Sequence, residues 1–164
     1  MERIALGSEL GGFVLLDAIP QIGPDTITGY RHFEGAQNYL GIEALAQLGA
    51  YHVRYLCGFE KHAFLLGIKR CAMSIGQHVS GSFKLSGELV SRSACAFSYN
   101  LRAVGQNRDG IEGEFLFSVV EYDETHFKKE VLREHYRKVF SCLRNGSSKD
   151  WQSSGKAAST EILR

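Results

Sequence analysis

One segment constrains the rest of the chain more than any other: AQNYLGIEALAQLGAYHVRYL, residues 36–56. Leu45, Leu48, Val53 and Leu56, with Ala44, Ala46 and Ala50 between them, make it apolar around most of its circumference. A surface helix keeps one polar face, so a helix of this kind must be enclosed by its own protein. Gly58 follows as the stop signal. From Ala63 onward the period changes. AFLLGIKRCAMSI, HVSGSFKLSGELVSRS, ACAFSYNLRAVG and GEFLFSVVEY are strand-like runs separated by Gly, Ser, Asn and Asp. QNRDG at 106–110 reads as a hairpin tip, with Asp109 and Gly110 tolerating positive φ. A buried helix followed by a meander of long strands predicts an α+β domain in which a curved antiparallel sheet wraps around the long helix.

The flanks fit that plan. GGFVLLDAIPQIGPDTITGYRHF gives a short apolar element, a turn at Pro20, Gly23 and Pro24, and a strand over about 26–33. DETHFKKEVLREHYRKVFSCL predicts an extra C-terminal amphipathic helix, its apolar stripe made by Phe127, Val131, Val139 and Leu143, packing outside the domain or on a partner. Beyond it the chain turns to Ser, Gly and Lys around Trp151. The division expected is a domain over 1–143 and a flexible tail over 144–164.

Nineteen basic and eighteen acidic side chains leave a net charge of +1, so no global field draws the protein to nucleic acid or an anionic membrane. No run approaches the ~20 apolar residues of a membrane span, and the N-terminus does not read as a signal peptide. A cytoplasmic protein is expected. Cys57, Cys71, Cys95 and Cys142 are far apart and read as reduced, mostly buried thiols. The histidines lack the i, i+4 spacing of a metal site and the glycines form no nucleotide loop, so neither metal nor cofactor is expected.

The helix and its flanks resemble a known family. IEALAQ at 42–47 is similar to the I-E-A-x-A-Q signature on the central helix of the hotdog-fold β-hydroxyacyl-ACP dehydratases of the FabZ/FabA type. FVLLD at 13–17, LLGIKR at 65–70 and GSFKLSGELVSRS resemble that family's opening strand, its G-I-x-K/R element and its long strand pair. The likeness is colinear over roughly residues 10–122. It implies a hotdog fold, a homodimer or a heterodimer with another hotdog subunit, and a substrate carried on the phosphopantetheine of acyl carrier protein or of coenzyme A. In the family a histidine from an H-F-P-G-x-P-x-x-P-G loop meets a glutamate of the opposite protomer's helix. Glu43 matches that glutamate and Gln47 the glutamine after it. HFEG places His32 on the histidine, but the loop's later prolines are absent, and TITGYRH aligns equally with the strand before the loop, which makes His32 a strand residue.

Dehydrating a 3-hydroxyacyl thioester requires a base for the α proton, an acid for the departing hydroxyl and donors for the thioester oxygen. His32 is the candidate base, and Glu43, if buried in the apolar helix, the candidate acid. Backbone N–H groups of Gly35 and Ala36, read as the start of the helix, are the candidate oxyanion donors, with Asn38 positioned to orient substrate. Gly41 and Gly49 are costly in a helix and suggest close backbone approach, as across a two-fold axis. Lys69 and Arg70 are candidates for receiving an acidic carrier. Two other readings remain: an acyl-ACP or acyl-CoA thioesterase, which uses the helix carboxylate without the histidine, and a non-catalytic subunit that only holds the acyl chain.

Overall fold

The computed structural model describes residues 14–123, 125 and 127–146. Six strands form one antiparallel sheet: β1 (Ala18–Ile22), β2 (Thr26–Gln37), β3 (His62–Met73), β4 (His78–Arg92), β5 (Ala96–Val104) and β6 (Gly110–Val120), in the order β1-β2-β4-β5-β6-β3. Helix α1 (Tyr39–Leu56) separates β2 from β3, and α2 (Lys129–Gly146) closes the described chain.

The sheet encloses α1 as its apolar circumference requires. Leu45, Leu48 and Val53 of the helix are fully buried, as are Tyr99, Phe115 and Phe117 of the sheet. Within the chain, the glycines of α1 allow close approach to its own sheet. A Cβ on Gly41 would strike Ile111 of β6, and one on Gly49 would lie 2.5 Å from the Phe117 ring. Bulky inward side chains on β6 fill the space that two small helix residues leave. Gly58 takes φ 60° just past the helix end, as its sequence position predicts.

Several boundaries differ from the sequence reading. β1 begins at Ala18, after the buried Leu15 and Leu16, and carries Pro20 on the sheet's edge beside a register shift, where a missing N–H costs no ladder bond. β2 runs to Gln37 instead of stopping near Phe33, because a bulge between Phe33 and Ala36, with Gly35 at φ 60°, lets Ala36 and Gln37 pair with Val79 and His78. At the β5–β6 hairpin, positive φ falls on Arg108 and not on Asp109 or Gly110. The thiols are less buried than expected: Cys57 is half-buried, and Cys71, Cys95 and Cys142 are exposed.

Helix α2 starts at Lys129, later than the sequence suggested, since Asp123 Oδ1 accepts the N–H groups of Thr125 and Phe127 and holds a turn there. Val139 and Leu143 are buried, but Phe127 and Val131 are exposed. Their place in the contact is taken by Tyr136 and Phe140. Phe140 stacks on Tyr51 with centroids 6.2 Å apart and meets Phe59 at 5.3 Å, and Tyr136 lies edge-on to Tyr51. Charge adds to the docking: Glu60 lies 2.9 Å from Lys129 Nζ and 3.0 Å from Arg133 Nη1, and Arg144 donates to the Ile19 carbonyl. The segment expected to be flexible lies, from residue 147, outside the described residues.

Candidate functional site

With the sheet on one side and α2 on the other, the C-terminal half of α1 is closed from Leu48 to Arg54. The N-terminal half is closed only on its sheet side, where Gly41, Ala44, Leu45 and Ala46 are buried. Tyr39 and Glu43, one turn apart, are exposed, and Leu40, Ile42 and Gln47 are half-buried beside them. The burial that the sequence reading asked of Glu43 is therefore not supplied by the described residues. Gln47 accepts the Leu15 N–H at 2.8 Å and so ties the segment before β1 to the helix.

The residues read as the helix start belong elsewhere. Gly35 and Ala36 lie in β2, and the Gly35 N–H donates to Ser80 Oγ at 2.8 Å. Local sequence could not show this, because the pairing partner is more than 40 residues away. Asn38 occupies the cap position without a side-chain cap bond; its Nδ2 donates to the Gly76 carbonyl and its N–H to the Gln77 carbonyl, fastening the β3–β4 connection to the helix. The amides at the first turn are those of Tyr39 and Leu40, which by helix geometry have no intrahelical acceptor and carry the positive end of the dipole.

Alternation in β2 decides the face of His32. Ile27, Gly29 and Phe33 are buried, and a Cβ on Gly29 would meet Leu48 of α1, so that row faces the helix. His32 points to the opposite face of the sheet. Its Nδ1 shares a 3.1 Å hydrogen bond with Ser82 Oγ, its Nε2 is 3.8 Å from Glu34, and its N–H donates to Asp17. Within one chain, the sheet lies between the His32 side chain and α1.

Two histidines gain significance only in three dimensions. His78, on β4, shares a 3.2 Å hydrogen bond with Gln37 immediately before α1 and places an exposed imidazole near the helix entry. His52 is fully buried. Its Nε2–H donates to the Gly23 carbonyl at 2.8 Å, which leaves Nδ1 to accept from the Tyr99 hydroxyl at 2.8 Å. That is a neutral ring, and burial holds it below the ordinary imidazole range. Lys69 and Arg70 are exposed within β3, and Arg70 is spanned to Glu114 at 3.4 Å.

No protein-family model matches the chain, and no curated sequence matches it. Solved structures do. The dehydratase heterocomplex ApeI:P from Xenorhabdus doucetiae is similar with a TM-score of 0.58 and 11% identity, over 73% of this chain and 90% of that one. A thioesterase from Haemophilus influenzae is similar with a TM-score of 0.54 and 14% identity, over 66% and 80%. A thioesterase from Pseudomonas aeruginosa gives 0.53 and 11%, over 63% and 80%. At these identities the likeness is one of fold. The chain has the hotdog fold, with a six-stranded antiparallel sheet around a long central helix and a second helix at its C-terminal end. The similar structures of that fold include two thioesterases and a dehydratase heterocomplex.

Proposed function

We propose that this chain is a subunit of a dimeric hotdog protein acting on acyl thioesters, carried on acyl carrier protein or coenzyme A, with Glu43 as the reacting carboxylate. The observation that carries the reading is the outer face of the N-terminal half of α1, which the described residues leave open and which presents Glu43 one turn from the first-turn amides. A second chain is the natural cover. β3 is an edge strand, and Phe64, Leu65, Leu66, Ile68 and Met73 along it are exposed, a surface suited to pairing with another strand. Antiparallel pairing of two β3 edges about a two-fold axis continues the sheet and keeps both helices on one face, which sets the open ends of the helices against the seam.

Hydrolysis is the reaction this geometry supports best. Glu43 takes a proton from water as the water oxygen attacks the thioester carbonyl, the developing oxyanion is met by the Tyr39 and Leu40 amides, and the departing thiolate recovers the proton from Glu43. His32 is not needed. In a sheet continued through β3, it stays on the face away from both helices.

Dehydration of a (3R)-3-hydroxyacyl-ACP, in fatty-acid or polyketide-type metabolism, is the second reading. It is favoured by the IEALAQ signature and by the likeness to a dehydratase heterocomplex. In this reading the imidazole comes from a different hotdog subunit or from His78, and this chain contributes Glu43.

The test follows two products from a 3-hydroxyacyl-pantetheine thioester, free thiol and enoyl thioester, with wild type, His32→Ala and His78→Ala. Free thiol release that survives His32→Ala is expected. Enoyl formation abolished by His32→Ala would overturn the hydrolysis reading, and enoyl formation abolished only by His78→Ala would favour the second. Binding without either product is the behaviour of a subunit that holds the acyl chain for an active partner.

A further inference from the structure

Arg54, in the last turn of α1, is 6% exposed. Its Nη2 donates to the Ala63 carbonyl at 2.9 Å, and its guanidinium lies 3.7 Å over the Tyr136 ring and 5.4 Å from that of Tyr51. The aromatic faces offset part of the cost of burying the cation. They supply no counter-charge, and a guanidinium does not lose its proton to escape the cost. Among the described residues no carboxylate pairs with it: the nearby Glu60 is engaged by Lys129, Arg133 and Arg137. The contrast with Arg31 is direct, since its buried Nε is also unpartnered but Asp17 neutralises the group at 3.1 Å.

Two more buried polar atoms without partners belong to the same cluster. Arg54 Nε, His62 Nδ1 and the Tyr122 hydroxyl all lack hydrogen bonds. The His62 ring is 6.1 Å from that of Tyr122 and 6.2 Å from that of Tyr136, the ring on which Arg54 lies. Each of the three atoms can donate a hydrogen, and Arg54 Nε can do nothing else. We infer that Arg54, His62 and Tyr122 bind a small monovalent anion, of the halide or short carboxylate class, beneath α2. A water molecule would satisfy the donors but leave the guanidinium charge uncompensated in a low-dielectric setting, whereas an anion meets both needs. The site joins the end of α1, the start of β3, the end of β6 and α2, so its occupant fastens the C-terminal helix to the domain.

The thermal midpoint of the full chain tests this at constant ionic strength, with chloride, bromide or formate replacing the bulky gluconate anion. Binding to the folded state alone predicts a midpoint that rises and then saturates with the small anion. Tyr122→Phe keeps the ring, removes one donor and shifts the half-saturating concentration upward several-fold. Arg54→Met, where it folds, abolishes the dependence. Bromide-soaked crystals should show an anomalous peak among the three side chains. A midpoint indifferent to the anion, a dependence unchanged in Tyr122→Phe, or a site without bromide would overturn the inference and leave water or the chain itself as the occupant.

Discussion

At Gly49 two effects of known size oppose each other. Alanine is the better helix former by about 1 kcal/mol, but its methyl group would sit 2.5 Å from Phe117 in a filled core, where overpacking costs about 1–3 kcal/mol. Gly49→Ala should therefore destabilise, and a urea midpoint at or above that of wild type would show that Phe117 yields. His52 sets a pH dependence. Burial lowers its folded pKa, opposed by the Gly23 hydrogen bond and the charge of Asp25. Below about pH 6.5 the unfolded chain takes up a proton that the folded chain refuses, so stability falls as pH falls, until the folded ring protonates too. His62, lowered by burial and by Arg54, contributes with the same sign in gluconate, where no small anion offsets the Arg54 charge. Urea midpoints between about pH 7.5 and 5.5 should fall in wild type and fall less in His52→Gln; equal slopes would remove His52 as the cause. Glu43 could be put forward as a candidate from IEALAQ because a local signature carries it. The neutral tautomer of His52 could not, because Tyr99 lies 47 residues away.

Among the elements, the strand periods were plain in the sequence and the enclosed α1 followed from its composition. The end of β2 was hidden because HFEGAQ before an apolar helix looks like a helix entry, while its true partners are in β4. The stripe of α2 was misassigned for another reason: Tyr136 and Phe140 match aromatic partners on α1 and beyond it, which no periodicity within α2 reveals. That contact, more than charge, should hold the helix. Phe140 is half-buried, so Phe140→Ala is expected to cost about 2 kcal/mol in a chemical denaturation experiment, below the range for truncating a fully buried phenylalanine. Glu60→Gln should cost much less and lose its effect in high salt, since Glu60 and its basic partners are exposed to solvent. A loss from Glu60→Gln as large as that from Phe140→Ala would contradict that ranking.

At the scale of the whole molecule, the strand order places β3 beside β6 at an edge, with apolar side chains that none of the described residues covers. Consecutive strands usually neighbour each other, and β3 and β4 do not, so the sequence alone could show the sheet but not which strand is left at its edge. Leu66, exposed by 61%, is the most open of these residues. If the proposed β3-paired dimer forms, Leu66→Lys should shift sedimentation from a dimer to a monomer and reduce turnover with it, because in that dimer the seam covers Glu43. A dimer unchanged by the substitution would place the interface elsewhere. The most direct measurement of the central claim is single-turnover processing of an acyl-pantetheine thioester by wild type and Glu43→Gln, at concentrations where both have the same sedimentation mass. A reacting carboxylate predicts a loss of about 10²–10⁴-fold with the fold and assembly intact. Turnover by Glu43→Gln within a few-fold of wild type would contradict the account.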